Sequence, residues 1–183
     1  NYALAKITGI KLCNSLNSNY NWDCRALMPT NLFGPNDNYD LETSHVLPAL
    51  IRKIYEAKLN SKKYVVVWGT GQVKREFLHV DDLAEYFYKI AKLSKKTFRS
   101  VCGDNCYINI GHGDDIKIID LAKIVSKIIG YNGKLFFDKS KPNGVKRKLL
   151  DLTKLEQLGI KKNLNLEKRI TQTIKWYIEN EKK

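Results

Sequence analysis

Short apolar runs alternating with longer amphipathic ones constrain this chain more than anything else in it. Residues 23–28, 64–68, 75–80, 107–110 and 134–137 are too short for ordinary helices and rich in branched or aromatic side chains, so strands are expected there. Residues 2–19, 81–92 and 116–129 carry apolar groups at helical spacing. A further helix is expected from Ser44, its N-cap, to about Leu59, with Pro48 tolerated in the first turn. Helices over 153–158 and 166–182 close the chain. The 23–28 run breaks into Pro29-Thr30-Asn31-Leu32-Phe33-Gly34-Pro35. A buried strand ending in a loop punctuated by Pro, Asn and Gly is what the carboxyl edge of a parallel sheet looks like, where open α/β folds bind ligands. Residues 64–80 read as a hairpin-like unit turning at Gly69-Thr70-Gly71, and residues 94–105 as a basic, irregular linker.

With 183 residues, 43% of them hydrophobic, the chain can bury a real core. No apolar run approaches the ~20 residues needed to span a bilayer, and no signal peptide is visible, so no membrane is expected. The net charge of +13 raises nucleic acid as a partner. The excess is mostly Lys scattered over polar positions, without a zinc finger, recognition helix or RNA-binding motif, so no nucleic acid is expected. Cys13, Cys24, Cys102 and Cys106 have neither disulfide-framework density nor zinc spacing. No metal is expected, and a reducing cytoplasm is the default. Cys13 reads as small core filler, and Cys102 could meet Cys106 across a loop. The chain opens at Asn1 without a methionine, inside an apparent helix, so a longer protein with a missing N-terminal part is expected.

Tyr2 and Lys6 lie four apart and share one helix face. An ammonium beside a phenol favours the phenolate, which would give a proton donor and acceptor usable near neutral pH. His45 at a helix start has the right titration range for acid–base work, though such histidines are more often caps. Trp68 and Arg75 near one turn suit a base and a phosphate, and Lys146-Arg147-Lys148 could close over a diphosphate rather than form a solvated edge. Gly111-His112-Gly113 lacks the third glycine of a dinucleotide fingerprint.

Taken in order, four blocks accompany the Tyr2/Lys6 pair and the Pro29–Pro35 loop: Ser44-His45-Val46-Leu47-Pro48-Ala49-Leu50-Ile51-Arg52, Val65-Val66-Val67-Trp68-Gly69-Thr70-Gly71, Arg75-Glu76-Phe77-Leu78-His79-Val80-Asp81-Asp82, and Lys141-Pro142-Asn143-Gly144 with Arg147-Lys148-Leu149-Leu150-Asp151. In this the chain resembles the extended short-chain dehydrogenase/reductase superfamily and, within it, the GDP-L-fucose synthase family, over essentially its whole length. The resemblance implies an α/β fold: residues 1–39 as the C-terminal remnant of a Rossmann (doubly wound parallel sheet) domain, and 40–183 as a smaller substrate domain, with 76–93 packing back on the Rossmann part. It implies an NADP(H)-dependent 3,5-epimerase/4-reductase acting on GDP-4-keto-6-deoxy-D-mannose, a homodimer paired through the helix carrying Tyr2.

By the same resemblance Tyr2 is the acid at the sugar C4 oxygen, Lys6 holds the nicotinamide ribose, and His45 is the acid/base of epimerisation beside the cofactor. Pro29, Thr30, Asn31 and Leu32 line the nicotinamide end. Lys53, Trp68, Arg75, Asn143 and Lys148 bind the GDP-sugar. The chain departs from the family at Lys53, often arginine there, and at Asn143, more usually aspartate. It also lacks the glycine-rich loop that holds the cofactor pyrophosphate, so this piece alone is expected to be inactive. Two alternatives stay open: another extended reductase acting on a nucleotide sugar, such as a 4,6-dehydratase or 4-epimerase, and a non-catalytic nucleotide-sugar binding module.

Overall fold

In the computed structural model residues 1–161 and 164–180 are described. Helix α1 (Tyr2–Tyr20) leads into β1 (Ala26–Pro29) and β2 (Asn31–Phe33). The rest follows as α2 (Val46–Leu59), β3 (Tyr64–Trp68), β4 (Lys74–His79), α3 (Val80–Lys92), α4 (Lys95–Cys102), β5 (Tyr107–Ile110), β6 (Asp115–Lys117), α5 (Ile118–Ile129), β7 (Lys134–Asp138), β8 (Arg147–Lys148), α6 (Thr153–Gln157) and α7 (Leu166–Asn180). The expected end of the last helix at 181–182 lies outside the described residues. No described helix is long and apolar enough to cross a membrane.

Strand pairing is mostly parallel, and every parallel pair joins strands far apart in sequence. β1 runs beside β5, β2 beside β4, and β3 beside β7. β4 also takes β6 antiparallel and β8 parallel. Residues 64–80 therefore do not form a hairpin. Val65 and Val67 of β3 bury against α2 and α5, while Glu76 to His79 are buried in succession. A strand buried on both faces belongs inside a sheet and needs neighbours on both edges, which a hairpin partner alone does not provide.

Two apolar clusters result. One joins Leu47, Ile51 and Ile54 of α2 to Leu121 and Val125 of α5 and Ile170 and Ile174 of α7. The other joins Leu78, Tyr86 and Ile90 to Phe98, Ile108, Ile110 and Leu155, with Leu27 and Leu32 packed against it. Each such side chain contributes roughly 1.5–3 kcal/mol on full burial. Helix α1 has no fully buried residue. Cys13 on it is only half-buried rather than core filler.

Three further expectations are corrected by local chemistry. Residues 31–33 of the expected loop form β2, because their backbone finds β4 alongside. The expected linker 94–105 contains α4, started by Ser94, whose Oγ accepts the Thr97 N–H at 3.0 Å. The cap of α2 is His45 rather than Ser44, and it makes no side-chain capping bond.

Candidate active site

Tyr2 and Lys6 do meet on the first turns of α1, with Lys6 Nζ 5.3 Å from the Tyr2 ring centroid. Tyr2 is 78% exposed. Among the described residues no hydrogen bond, ion pair or ring contact joins either to His45. His45 is exposed at the start of α2, between Ser44 and Val46, which both line a cavity of about 210 Å³ shared with Lys53 and Trp68. A larger cavity of about 600 Å³ on the same wall takes in Lys53, Ala57, Tyr64, Val66 and Trp68.

Trp68 closes β3 and is 58% exposed, an unusual setting for the largest apolar ring. Lys53 Nζ lies 5.1 Å and Lys141 Nζ 5.6 Å from its ring centroid. Burial pulls the Lys53 ammonium below the usual lysine range, so an anionic partner would relieve a desolvated charge. Beyond Trp68 the chain turns at Gly69, with φ +81°, a conformation costly for any residue bearing a Cβ. The turn is pinned by Asn143, whose Oδ1 accepts the Thr70 N–H at 2.7 Å and the Thr70 Oγ–H at 2.9 Å. Asn143 thus holds one loop to another through its amide oxygen.

The adjacent Gly144 lies over Arg75, where a Cβ would stand 3.4 Å from Nη2. Arg75 is the register partner of Lys148 across β4 and β8. The neighbouring cations share an acidic partner: Asp115 takes both Arg147 and, at 3.4 Å, Lys74. Hydrogen bonding to Arg147 accordingly holds the Asp115 carboxyl below the usual carboxylate range. Arg75 donates to the Lys74 carbonyl at 2.7 Å, and among the described residues neither it nor Lys148 has a carboxylate. Of the basic 146–148 run, Lys148 is therefore placed beside an unpaired guanidinium, and Arg147 is not free. Two uncompensated cations side by side attract a phosphate group or diphosphate.

Lys148 also lines a cleft of about 360 Å³ with Leu149, Leu150, Pro29, Thr30 and Asn31. Leu32 instead packs into the second apolar cluster. Thr30 Oγ and Asn31 Nδ2 donate to the Glu76 carbonyl at 3.2 and 2.7 Å, which orients Asn31 and leaves its Oδ1 without a donor among the described residues. The structure thus joins Lys53, Trp68, Asn143, Arg75, Lys148 and Pro29–Asn31 along one path of contacts and cavity walls, with His45 exposed beside its Ser44–Val46 end. Tyr2 and Lys6 line none of these cavities.

The profile of the NAD dependent epimerase/dehydratase family matches residues 1–103, more than half of the chain. The chain belongs to that family. It is 46% identical over 181 residues to GDP-L-fucose synthase from Escherichia coli (strain K12), a match covering 98% of this chain and 56% of that protein. Among solved structures it is similar to a GDP-6-OMe-4-keto-L-xylo-heptose reductase from C. jejuni, with TM-score 0.86 and 34% identity over 96% of this chain and 60% of that one. It is also similar to a GDP-L-fucose synthetase from Naegleria fowleri bound to NADP, with TM-score 0.85 and 29% identity over 99% of this chain and 56% of that one. The chain spans about half the length of the curated relatives it matches. The resemblance drawn from the motifs is borne out, and so is the α/β fold class.

In this epimerase/dehydratase-family chain the residue that sequence reasoning passed over is Glu76. It lies in the Arg75–Asp82 block, and its carboxylate is fully buried. Oε1 accepts the Gly113 N–H at 2.7 Å and Oε2 the Leu150 N–H at 3.0 Å. A methyl group on Gly111 would come within 2.2 Å of Oε1, so the glycine makes room for the carboxylate. The signal available in the sequence was slight, because Glu76 follows Lys74 and Arg75 and only Phe77 and Leu78 of this strand are apolar.

Proposed function

We propose that this chain supplies the GDP-sugar half of an NADPH-dependent 3,5-epimerase/4-reductase that converts GDP-4-keto-6-deoxy-D-mannose to GDP-L-fucose. The observation that carries the reading is the Arg75–Lys148 pair, two register partners without a carboxylate, next to the exposed Trp68 face. In this reading the pair grips the diphosphate, Trp68 with Lys53 and Lys141 stacks against the nucleoside, and the Thr70–Asn143 clamp holds both loops in place. Residues 1–39 belong to the cofactor domain and 40–183 to the substrate domain, with 76–93 packing back on the cofactor part, a reading supported by the pairing of β2 with β4.

The residues beside the Pro29–Asn31 cleft suit a nicotinamide. Asn31 Oδ1 is available to accept from a carboxamide, and Leu149 offers an apolar wall. Pro29 to Leu32 would hold the nicotinamide end and Lys6 the ribose hydroxyls. NADPH, when bound, supplies the hydride that the ketone carbon C4 accepts. Tyr2 donates the proton to O4, and Lys6 restores the phenol's charge balance. His45 removes and returns the acidic protons at C3 and C5, next to the ketone. The parent protein works in the cytoplasm, in keeping with its free cysteines, and dimerises through α1, none of whose residues is fully buried within this chain.

The test is turnover of the complete protein on GDP-4-keto-6-deoxy-D-mannose, followed by NADPH absorbance and by deuterium uptake at C3 and C5. Tyr2→Phe should lower reduction by about 10²–10⁴-fold while deuterium uptake persists, and His45→Gln should do the reverse. Unchanged reduction by Tyr2→Phe would overturn the reading.

A further inference from the structure

Three thiols converge where α1 meets the sheet, and the proposed sugar chemistry uses none of them. Asn14 and Asn17, one helical turn apart, anchor the meeting. Asn14 Oδ1 accepts the Cys106 N–H at 2.8 Å. Asn17 Oδ1 accepts the Cys24 N–H at 2.7 Å, and its Nδ2 donates to the Cys24 carbonyl at 2.9 Å. Cys106 Sγ turns onto α1 and donates to the Ile10 carbonyl at 3.5 Å, one turn before Cys13, rather than meeting Cys102 across its loop. The segments bearing Cys24 and Cys106 run alongside, with Ala26 N donating to the Cys106 carbonyl at 2.6 Å. Burial pushes both of these thiols up, and the neighbouring Cys13 thiol adds to the shift in each. On α1, Cys13 lies one turn from Ile10, which holds the Cys106 thiol, and one turn from Asn17, which holds Cys24.

A cavity of about 160 Å³ lined by Asn17, Asp23, Cys24, Arg99 and Cys106 reaches two of the three cysteines, with room enough for a peroxide molecule.

We propose that Cys13 is a redox thiol that closes a disulfide to Cys24 or Cys106 under peroxide, tying the helix of Tyr2 and Lys6 to the sheet. One thiol, as its thiolate, attacks a peroxide oxygen; the O–O bond breaks, hydroxide leaves with the thiol's proton as water, and a sulfenic acid remains. The second thiol attacks that sulfur, the S–S bond forms, and the sulfenic hydroxyl departs with the second proton as another water. Two thiols are oxidised and one hydrogen peroxide is reduced. The inference does not depend on the sugar substrate.

The test is peptide mapping of the purified protein after hydrogen peroxide and alkylation of remaining thiols. Trypsin leaves Cys13 and Cys24 in one peptide, 12–25, and a second cut before Asp23 separates them. The expected result is a cross-link joining Cys13 to the Cys24 or Cys106 peptide, reversed by dithiothreitol, kept in Cys102→Ser and lost in Cys13→Ser. Wild-type Cys13 recovered alkylated or as sulfinic acid, or a cross-link joining only Cys24 to Cys106, would overturn the proposal, whether or not Cys13→Ser folds.

Discussion

The carboxylate of Glu76, buried in the centre of β4, accepts the backbone N–H of Leu150 from 74 residues away. The other oxygen holds Gly113, and the Glu76 carbonyl holds Thr30 and Asn31. One residue therefore ties together both walls of the cleft between Pro29–Asn31 and Lys148–Leu150. Glu76→Ala would strand two N–H groups, at about 1–3 kcal/mol for each that stays dry. Urea denaturation should show a markedly lowered midpoint, with Glu76→Gln milder because it keeps one acceptor oxygen. An unshifted midpoint in Glu76→Ala would show that water replaces the carboxylate at little cost.

His79 caps α3 with its Nδ1, which accepts the Asp81 N–H at 3.2 Å and must be unprotonated to do so. Burial holds its pKa below the ordinary histidine value of 6.5. The folded state therefore binds this proton more weakly than the unfolded one. The stabilisation is complete above 6.5 and is lost as pH falls from there through the folded value. Wild-type protein should lose stability across that window in thermal melts, and His79→Asn, which keeps a capping acceptor, should lose less. Parallel pH profiles for the two proteins would remove His79 as the cause.

Among the cations at β4 and β8, partnership separates Arg75 and Lys148 from Arg147. Charge-assisted bonds contribute about 1.5–3 kcal/mol, so Arg75→Ala or Lys148→Ala should weaken GDP binding by roughly 10–100-fold. Arg147→Ala should change it far less, because that side chain is engaged by Asp115. Calorimetry with GDP at two salt concentrations distinguishes them; equal losses in all three variants would mean only general charge matters.

Asn143 holds Thr70 through its amide oxygen, so the acceptor matters and the amide nitrogen does not. Asn143→Asp keeps the acceptor and should bind GDP as the wild type does. Asn143→Ala frees the turn after Trp68 and should raise KM for the GDP-sugar several-fold with kcat little changed. If Asp proves as damaging as Ala, the amide nitrogen contacts the substrate directly.

Much of this was legible in the sequence because it depends on local rules. The apolar runs at 64–68, 107–110 and 134–137 became β3, β5 and β7, since short branched stretches suit a pleated surface wherever they pair. Helices α3 and α5 followed from periodicity. Helix α4 was hidden, because its Ser94 cap sits in a lysine-rich stretch whose apolar face is only Phe98, Val101 and Cys102.

What the residues alone determined is which side chains carry the chemistry, through ordered motifs whose amino-acid types suit phosphate, aromatic and proton-transfer roles. Only the tertiary structure decided which of them are available. Parallel pairing joins strands distant in the chain, so nothing local shows that β3 takes β7 rather than β4. Nor does anything local show that Asp115 neutralises Arg147 and spares Lys148. Partnership and burial are properties of space, and they separate a free cation from one already engaged.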